Sequence, residues 1–320
     1  MLDVTALGEL LIDFAPAGTD ENGYPILAAK PGGAPPNYLA ALAAYGAKTA
    51  LLCKVGSDAF GEMLTETLKN AGIETSGVVV DHSVFTTLAF VTIDASGDRS
   101  FSFARKPGAD TCLRFEELDL SLIDRAKVFH FGTLSLTHEP ARDATQRAVA
   151  YAKAGGKLIT FDPNLRASLW DDMEEARKQI LWGLGQADIV KISDEEVDFL
   201  WNCSAQEGAQ LLIDEFGVRL AMVTMGAEGA FLKNGSACAF AACPPVKPAD
   251  TTGAGDIFGG SAVSRILKLG KRPEDLYDDE LAIIAAFATT AASLSTQKAG
   301  GIPSVPGEDE VYGMLTEIPR

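Results

Sequence analysis

The chain has 320 residues, of which 47% are hydrophobic and 22% charged, and its formal net charge is −17. That balance belongs to a globular protein with a substantial core and excludes a fibrous or disordered chain. A surface this acidic repels phosphate backbones and anionic lipid, so nucleic acid and membrane are excluded as partners, while a phosphorylated ligand in a local pocket is not.

The elements follow in chain order. "MLDVTALGELLIDF" has no basic region ahead of its apolar stretch and carries acids within it, so no signal peptide is read. "VTALGELLIDF" predicts one first strand ending at Asp13, and residues 14–31 are turn-rich. "PNYLAALAAYG" and "FGEMLTETLKNAG" predict helices with glycine stops, separated by the strand "KTALLCKVG". Residues 78–104 have a period near two and a turn at "DASGD", which predicts a hairpin. The strands "KVFHFG", "KLITFDPN", "ADIVKIS" and "LAMVTMG" then alternate with helical segments such as "ARDATQRAVAYAKAG" and "EEARKQILWGLG". Such alternation predicts an α/β fold whose mostly parallel sheet is covered on both faces. The inserted antiparallel segments, about 14–31 and 78–112, form a lid on a single domain spanning 1–320. "LAIIAAFATTAASL" is too short for a membrane span and reads as a buried helix. The five cysteines are odd in number and lack a C-x-x-C pair, the usage of a reduced, cytoplasmic chain.

Ligands of open α/β sheets sit beyond the carboxyl ends of the strands. One candidate there is "DTTGAGDIFGG", residues 250–260. Helical spacing begins after Gly255, so Gly253, Ala254 and Gly255 form a loop feeding a helix N-terminus, an amide cradle for an anion. Asp256 falls in the first helical turn. It either takes a proton from an attacking hydroxyl or simply complements the helix dipole. No Lys-Ser or Lys-Thr follows the glycines, so this is not a Walker A loop.

A second glycine-rich stretch, "PGGAPPNYLAALAAYGAKTALLCKVG" (31–56), sets Gly32 and Gly33 ahead of a helix carrying Asn37. Together the two stretches resemble both signatures of the ribokinase-like (PfkB) carbohydrate kinase family, and the likeness runs over essentially the whole chain. Within that family, "LAFVTIDASGDRSFSFARKPGAD", "FDPNLRASLW" and "ADIVKISDEEVDFL" are most similar to fructokinases. The resemblance implies a three-layer α/β/α fold with a small β-sheet lid. It implies transfer of the γ-phosphoryl group of ATP to a sugar, D-fructose before others, with Mg²⁺ as the phosphate counter-ion. It makes Asp256 the general base, with Gly253, Ala254 and Gly255 stabilising charge on the moving phosphoryl group. Asp13, Gly32, Gly33 and Asn37 then bind the sugar, with Arg166 and the lid's Arg105 near substrate and Phe101 and Phe103 closing over it. For Asn37 the competing reading is helix capping, and for the two phenylalanines it is core packing.

On the nucleotide side the resemblance points to Lys191, Ser193, Glu196, Thr224, Gly226 and Gly229. Glu196 stands at a position that acts on magnesium through water, yet Ser193-x-x-Glu196 is also a capping box, and both readings stay open. Asp250 and Thr252 occupy positions that hold a monovalent cation, K⁺, in many relatives, but here "STQKAGGIPSVP" is one residue longer than the usual pattern. Ala104 and Lys106 also depart from the family pattern around the lid arginine. The three histidines lack metal spacing, and His130 reads as structural. Alternatives are kinases of 2-keto-3-deoxygluconate, ribose or a nucleoside, and a non-catalytic sensor, which has no need of Asp256. Relatives often dimerise through the lid sheet, and an exposed edge there favours the same.

Overall fold

The structure, a computed structural model, describes residues 1–93 and 99–317, with side chains throughout except at 93, 99–101 and 317. The chain begins with β1 (Val4–Leu7), β2 (Leu11–Thr19), β3 (Pro25–Gly32), α1 (Ala34–Ala44), β4 (Thr49–Gly56) and α2 (Ala59–Asn70). Four strands follow: β5 (Ile73–Glu74), β6 (Val78–Asp81), β7 (Leu88–Ile93) and β8 (Arg99–Ala104). Strand and helix then alternate through α3 (Leu120–Asp124), β9 (Val128–Gly132), α4 (Ala141–Ala154), β10 (Leu158–Asp162) and α5 (Met173–Leu184). Next come β11 (Ile189–Ser193), α6 (Asp194–Trp201), α7 (Ala205–Phe216), β12 (Leu220–Thr224), β13 (Gly229–Lys233) and β14 (Cys238–Ala242). Helices α8 (Ala254–Leu269), α9 (Asp278–Ser295) and α10 (Glu308–Glu317) close the chain.

The large sheet runs β14-β13-β12-β11-β10-β9-β1-β4-β5, with β6 also on β4. It is parallel except where β13 pairs with β12 and with β14. Its strands are apolar on both faces because helices cover both. Phe129 and Phe131 of β9 pack with α4, α5 and α7 residues such as Val149, Ile180 and Leu212. On the other face Val4 and Ala6 of β1 meet Leu39 of α1, Leu64 of α2 and Val263 of α8. This is the three-layer α/β/α fold expected, with its small second sheet ordered β3-β2-β7-β8. Residues 281–294 are a helix as expected, and among the described residues no helix is long and apolar enough to cross a membrane.

Three readings need correction. "VTALGELLIDF" is not one strand: β1 joins the large sheet and β2 the small one, with a break at 8–10. Leu10, Leu11 and Ile12 are all buried, so hydropathy does not mark the transition. Residues 14–31 are largely an antiparallel strand pair, with Asp13 opposite Lys30, rather than irregular turns. Residues 78–81 form β6 and pair with β4, so the hairpin proper is β7–β8, and its expected turn at 94–98 lies outside the described residues.

Helix α8 is buried on nearly every side from Asp256 to Ile266. It crosses α1 so closely that a Cβ on Gly260 would stand 2.3 Å from the Tyr38 carbonyl oxygen. Only glycine permits that approach. The crossing fixes the N-terminal turn of α8 against the N-terminal turn of α1.

Candidate active site

Helix α8 is N-capped by Gly253, whose φ is 78°, and Asp256 is its third residue. First-turn amides have no acceptor within their own helix, so the Gly253–Gly255 loop presents donors and positive potential. Asp256 is 8% exposed, and its Oδ2 accepts a 2.9 Å hydrogen bond from Nδ2 of Asn37. Burial pushes its carboxyl up to about 7, and the nearby Asp162 charge adds to this. The Asn37 hydrogen bond, Lys191 and Arg166 pull the other way. The capping reading of Asn37 does not hold, because Gly33 is the N-cap residue of α1 and Asn37 spends its amide on Asp256. Gly301 backs that amide: a Cβ there would lie 2.1 Å from Asn37 Oδ1.

Two cavities meet at this loop, sharing Thr251 and Gly255 in their walls. The smaller, about 270 Å³, is lined by Glu9, Asp13, Asn37, Phe103, Arg166 and Asp256 among others. Burial raises the Asp13 carboxyl to about 6, against the pull of Arg166 and with a contribution from Asp250. Gly32 leaves room for it, since a Cβ there would stand 2.1 Å from Asp13 Oδ2. Arg166 follows β10 and hydrogen-bonds the Leu165 carbonyl at 3.3 Å. The larger cavity, about 570 Å³, is lined by Thr224, Gly226 and Gly229 on one side and by Pro244–Val246 and α9 on the other.

Lys191 lies beneath the cradle, within 2.9 Å of where a Cβ on Gly255 would sit. Its ammonium is 3.1 Å from Asp162 Oδ2, with both side chains buried. Burial alone depresses the Lys191 pKa, but Asp162, Glu196 and Asp256 outweigh it and hold the group cationic. Ser193 and Glu196 do form the capping box of α6, with Ser193 N donating to Oε2 of Glu196 at 2.8 Å. The other Glu196 oxygen accepts from Leu165 N at 2.7 Å. Asp250 ties the loop before α8 to the segment after α9, accepting from Thr252 N at 3.0 Å and Gly300 N at 3.0 Å. Among the described residues no group of three His, Cys, Asp or Glu side chains has a metal-holding arrangement.

Arg105 does not reach the cavity. It is 3% exposed, and its guanidinium is taken up by Asp110, Thr137 Oγ1 and the Leu134 carbonyl. Asp110, five residues on, captures it, because a buried cation needs its counter-ion within reach. Phe103 lines the cavity, whereas the Phe101 side chain lies outside the described residues. His130 is a structural residue: burial, then Lys191, lower its pKa to about 3, and its ring stacks on Tyr38 at 3.8 Å.

Sequence reasoning missed three residues. Glu9 is 2% exposed and accepts from Ala34 N at 2.7 Å, and its carboxyl is pushed up to about 7 by burial. Its only signal was an acid set inside an apolar run. Asp162 and Asn164 lie in "FDPNLR", at the carboxyl end of a strand where ligands are expected, but only Arg166 of that stretch received a role. Asn164 lines the smaller cavity at a φ of 44°.

A raised carboxyl beside an amide cradle, between a small polar cavity and a larger apolar one, defines a site that moves a phosphoryl group onto a hydroxyl. The chain belongs to the pfkB family of carbohydrate kinases, whose pattern matches residues 1–307, and it is therefore a phosphotransferase acting on a sugar hydroxyl. It is 42% identical to Fructokinase-1 of Zea mays over 318 residues, 98% of this chain and 97% of that one. The solved structure of a fructokinase from Xylella fastidiosa with bound ATP has a TM-score of 0.89 to it at 29% identity, covering 99% of each chain. A fructokinase from Vibrio cholerae O395, solved with fructose, ADP and calcium, has a TM-score of 0.84 at 30% identity, covering 98% of this chain and 99% of that one.

Proposed function

We propose that this protein is a fructokinase that converts D-fructose and ATP to D-fructose 6-phosphate and ADP. The observation that carries the reading is Asp256, buried with its carboxyl raised to about 7 where the two cavities meet. The names and bound ligands of the similar fructokinases support the choice of sugar and donor. Fructose occupies the smaller cavity, where Asp13 and Asn37 accept and donate to its hydroxyls and Arg166 steadies the phosphate side. ATP occupies the larger one, with its phosphates directed to the cradle and to Lys191. Asp256 takes the proton of the attacking hydroxyl. The oxygen–phosphorus bond to the sugar forms as that to ADP breaks, while the amides of Gly253, Ala254 and Gly255 face the charge on the transferring group. The small sheet acts as a lid that excludes water and limits ATP hydrolysis.

Oxygen ligands suit hard cations, although among the described residues no three His, Cys, Asp or Glu side chains cluster to hold one. Glu196 is a buried carboxylate that would act on Mg²⁺ through water, and Asp250 with Thr252 would hold K⁺. Bound magnesium would neutralise the phosphate charge. Steady-state ADP release with Mg²⁺ across a panel of sugars and nucleosides tests the assignment. Fructose is expected to give the highest kcat/KM, and faster turnover with another sugar would move the specificity while keeping the chemistry.

The protein acts in the cytoplasm, in line with its five free cysteines. It forms a homodimer through the lid sheet, where Tyr24, Ile26 and Leu27 are exposed apolar side chains. Sedimentation at micromolar concentration is expected to give the dimer mass, and Tyr24→Asp with Ile26→Asp to give monomer. A native monomer would rule the interface out.

A further inference from the structure

On the reading of the larger cavity as the nucleotide site, we infer that it holds a purine by shape and apolar contact without reading the base's edge, so that GTP donates its phosphoryl group about as well as ATP. Adenine presents an amino group at its 6-position and an acceptor at N1, whereas guanine presents a carbonyl and an N–H. A site rejects one of them strongly only when fixed donors or acceptors face that edge and are left unpaired by the wrong base. The walls of this cavity carry few such groups. Pro244, Pro245 and Pro248 are in the lining and have no amide N–H to offer. The Cys243 amide is already given to the Glu228 carbonyl.

Ser293 and Thr296 also line the cavity, and their hydroxyl protons are committed. Ser293 Oγ donates to the Thr289 carbonyl at 2.8 Å, and Thr296 Oγ1 donates to the Ser293 carbonyl at 2.7 Å. Thr289 lines the cavity too, and its buried Oγ1 has no hydrogen-bond partner among the described residues; a hydroxyl both donates and accepts, so it can pair with either purine. Ser293 Oγ also accepts from Cys243 Sγ at 2.9 Å, and the lone pairs then left on Ser293 and Thr296 accept from the amino group of adenine or from N1–H of guanine alike. Among the described residues, no charged or amide side chain lines the cavity. Its 570 Å³ leaves room for the extra amino group of guanine. The transfer itself is unaltered: the bond from the γ-phosphorus to GDP breaks, the bond to the sugar oxygen forms, and the proton passes to Asp256.

The test compares kcat/KM for ATP and GTP at saturating fructose, in the native enzyme and in Ala292→Phe, whose ring would fill the base end of the cavity. The ratio is expected to lie within about tenfold, the low end of what apolar contact discriminates. Ala292→Phe is expected to raise KM for both donors at least tenfold and to leave the sugar KM unchanged. A native preference for ATP beyond tenfold, with both donors weakened by Ala292→Phe, would overturn the inference alone. Unchanged nucleotide KM values in Ala292→Phe would overturn the placement of the nucleotide and the inference with it. Should the larger ring prevent folding, Ala292→Leu serves the same comparison.

Discussion

Asp256→Asn is expected to lower kcat by about 10²–10⁴-fold, the usual contribution of a positioned general base. An amide keeps the shape of the carboxylate but cannot take the hydroxyl proton, so ATP affinity should change little. Turnover in the native enzyme should rise with pH and reach half its plateau near 7, because only the ionised form of Asp256 accepts a proton and burial has raised its carboxyl to about 7. The Asn variant should lack that limb. Stability should move the opposite way. Between the ordinary carboxyl value and about 7, the folded chain keeps a proton that the unfolded chain releases, so this group's contribution is intact in acid and is lost as pH rises through that window. Above pH 7 the native protein therefore buries a charge that the variant does not. Asp256→Asn should melt higher there, by a difference of up to about 4 kcal/mol. Measured kcat, its pH profile and thermal melts at pH 6 and 8 check all three, and near-native turnover in the variant would remove Asp256 from the chemistry.

Lys191→Met should be the most destabilising single change near the site. It leaves the Asp162 carboxyl in a buried position with its counter-ion gone, a loss of about 3–5 kcal/mol. The same substitution removes a cation from beneath the Gly255 end of the cradle, where charge develops on the transferring group. That should cost a further factor of about 10²–10³ in kcat, comparable to losing an oxyanion donor. Adding Asp162→Asn separates the two effects. The double variant has no unpaired charge, so its denaturant midpoint should return most of the way to native while its kcat stays low. A single Lys191→Met variant as stable as the native protein would show that Asp162 is not ionised against it.

The sequence by itself determined the elements whose signal is local. Apolar runs such as "KVFHFG" and "ADIVKIS" became β9 and β11 because a strand covered on both faces must be apolar throughout. The cradle of α8 and the capping box of Ser193 and Glu196 were also legible, since both depend on residues within one turn of helix. Tertiary structure alone decided which sheet each strand joined. Residues 4–12 are buried without interruption across the break, so nothing in the run separates β1 from β2. It also decided where the charged groups went. Arg105 turned to Asp110 and Thr137 instead of the sugar, and Lys191 met Asp162 across two strands. Asn37 and Asp256, 219 residues apart, share a hydrogen bond only because α1 and α8 cross at Gly260. Hydropathy periodicity states how deeply a side chain is buried. The partner it finds there, and hence whether a carboxyl ionises near 4 or near 7, depends on neighbours that the chain order does not contain.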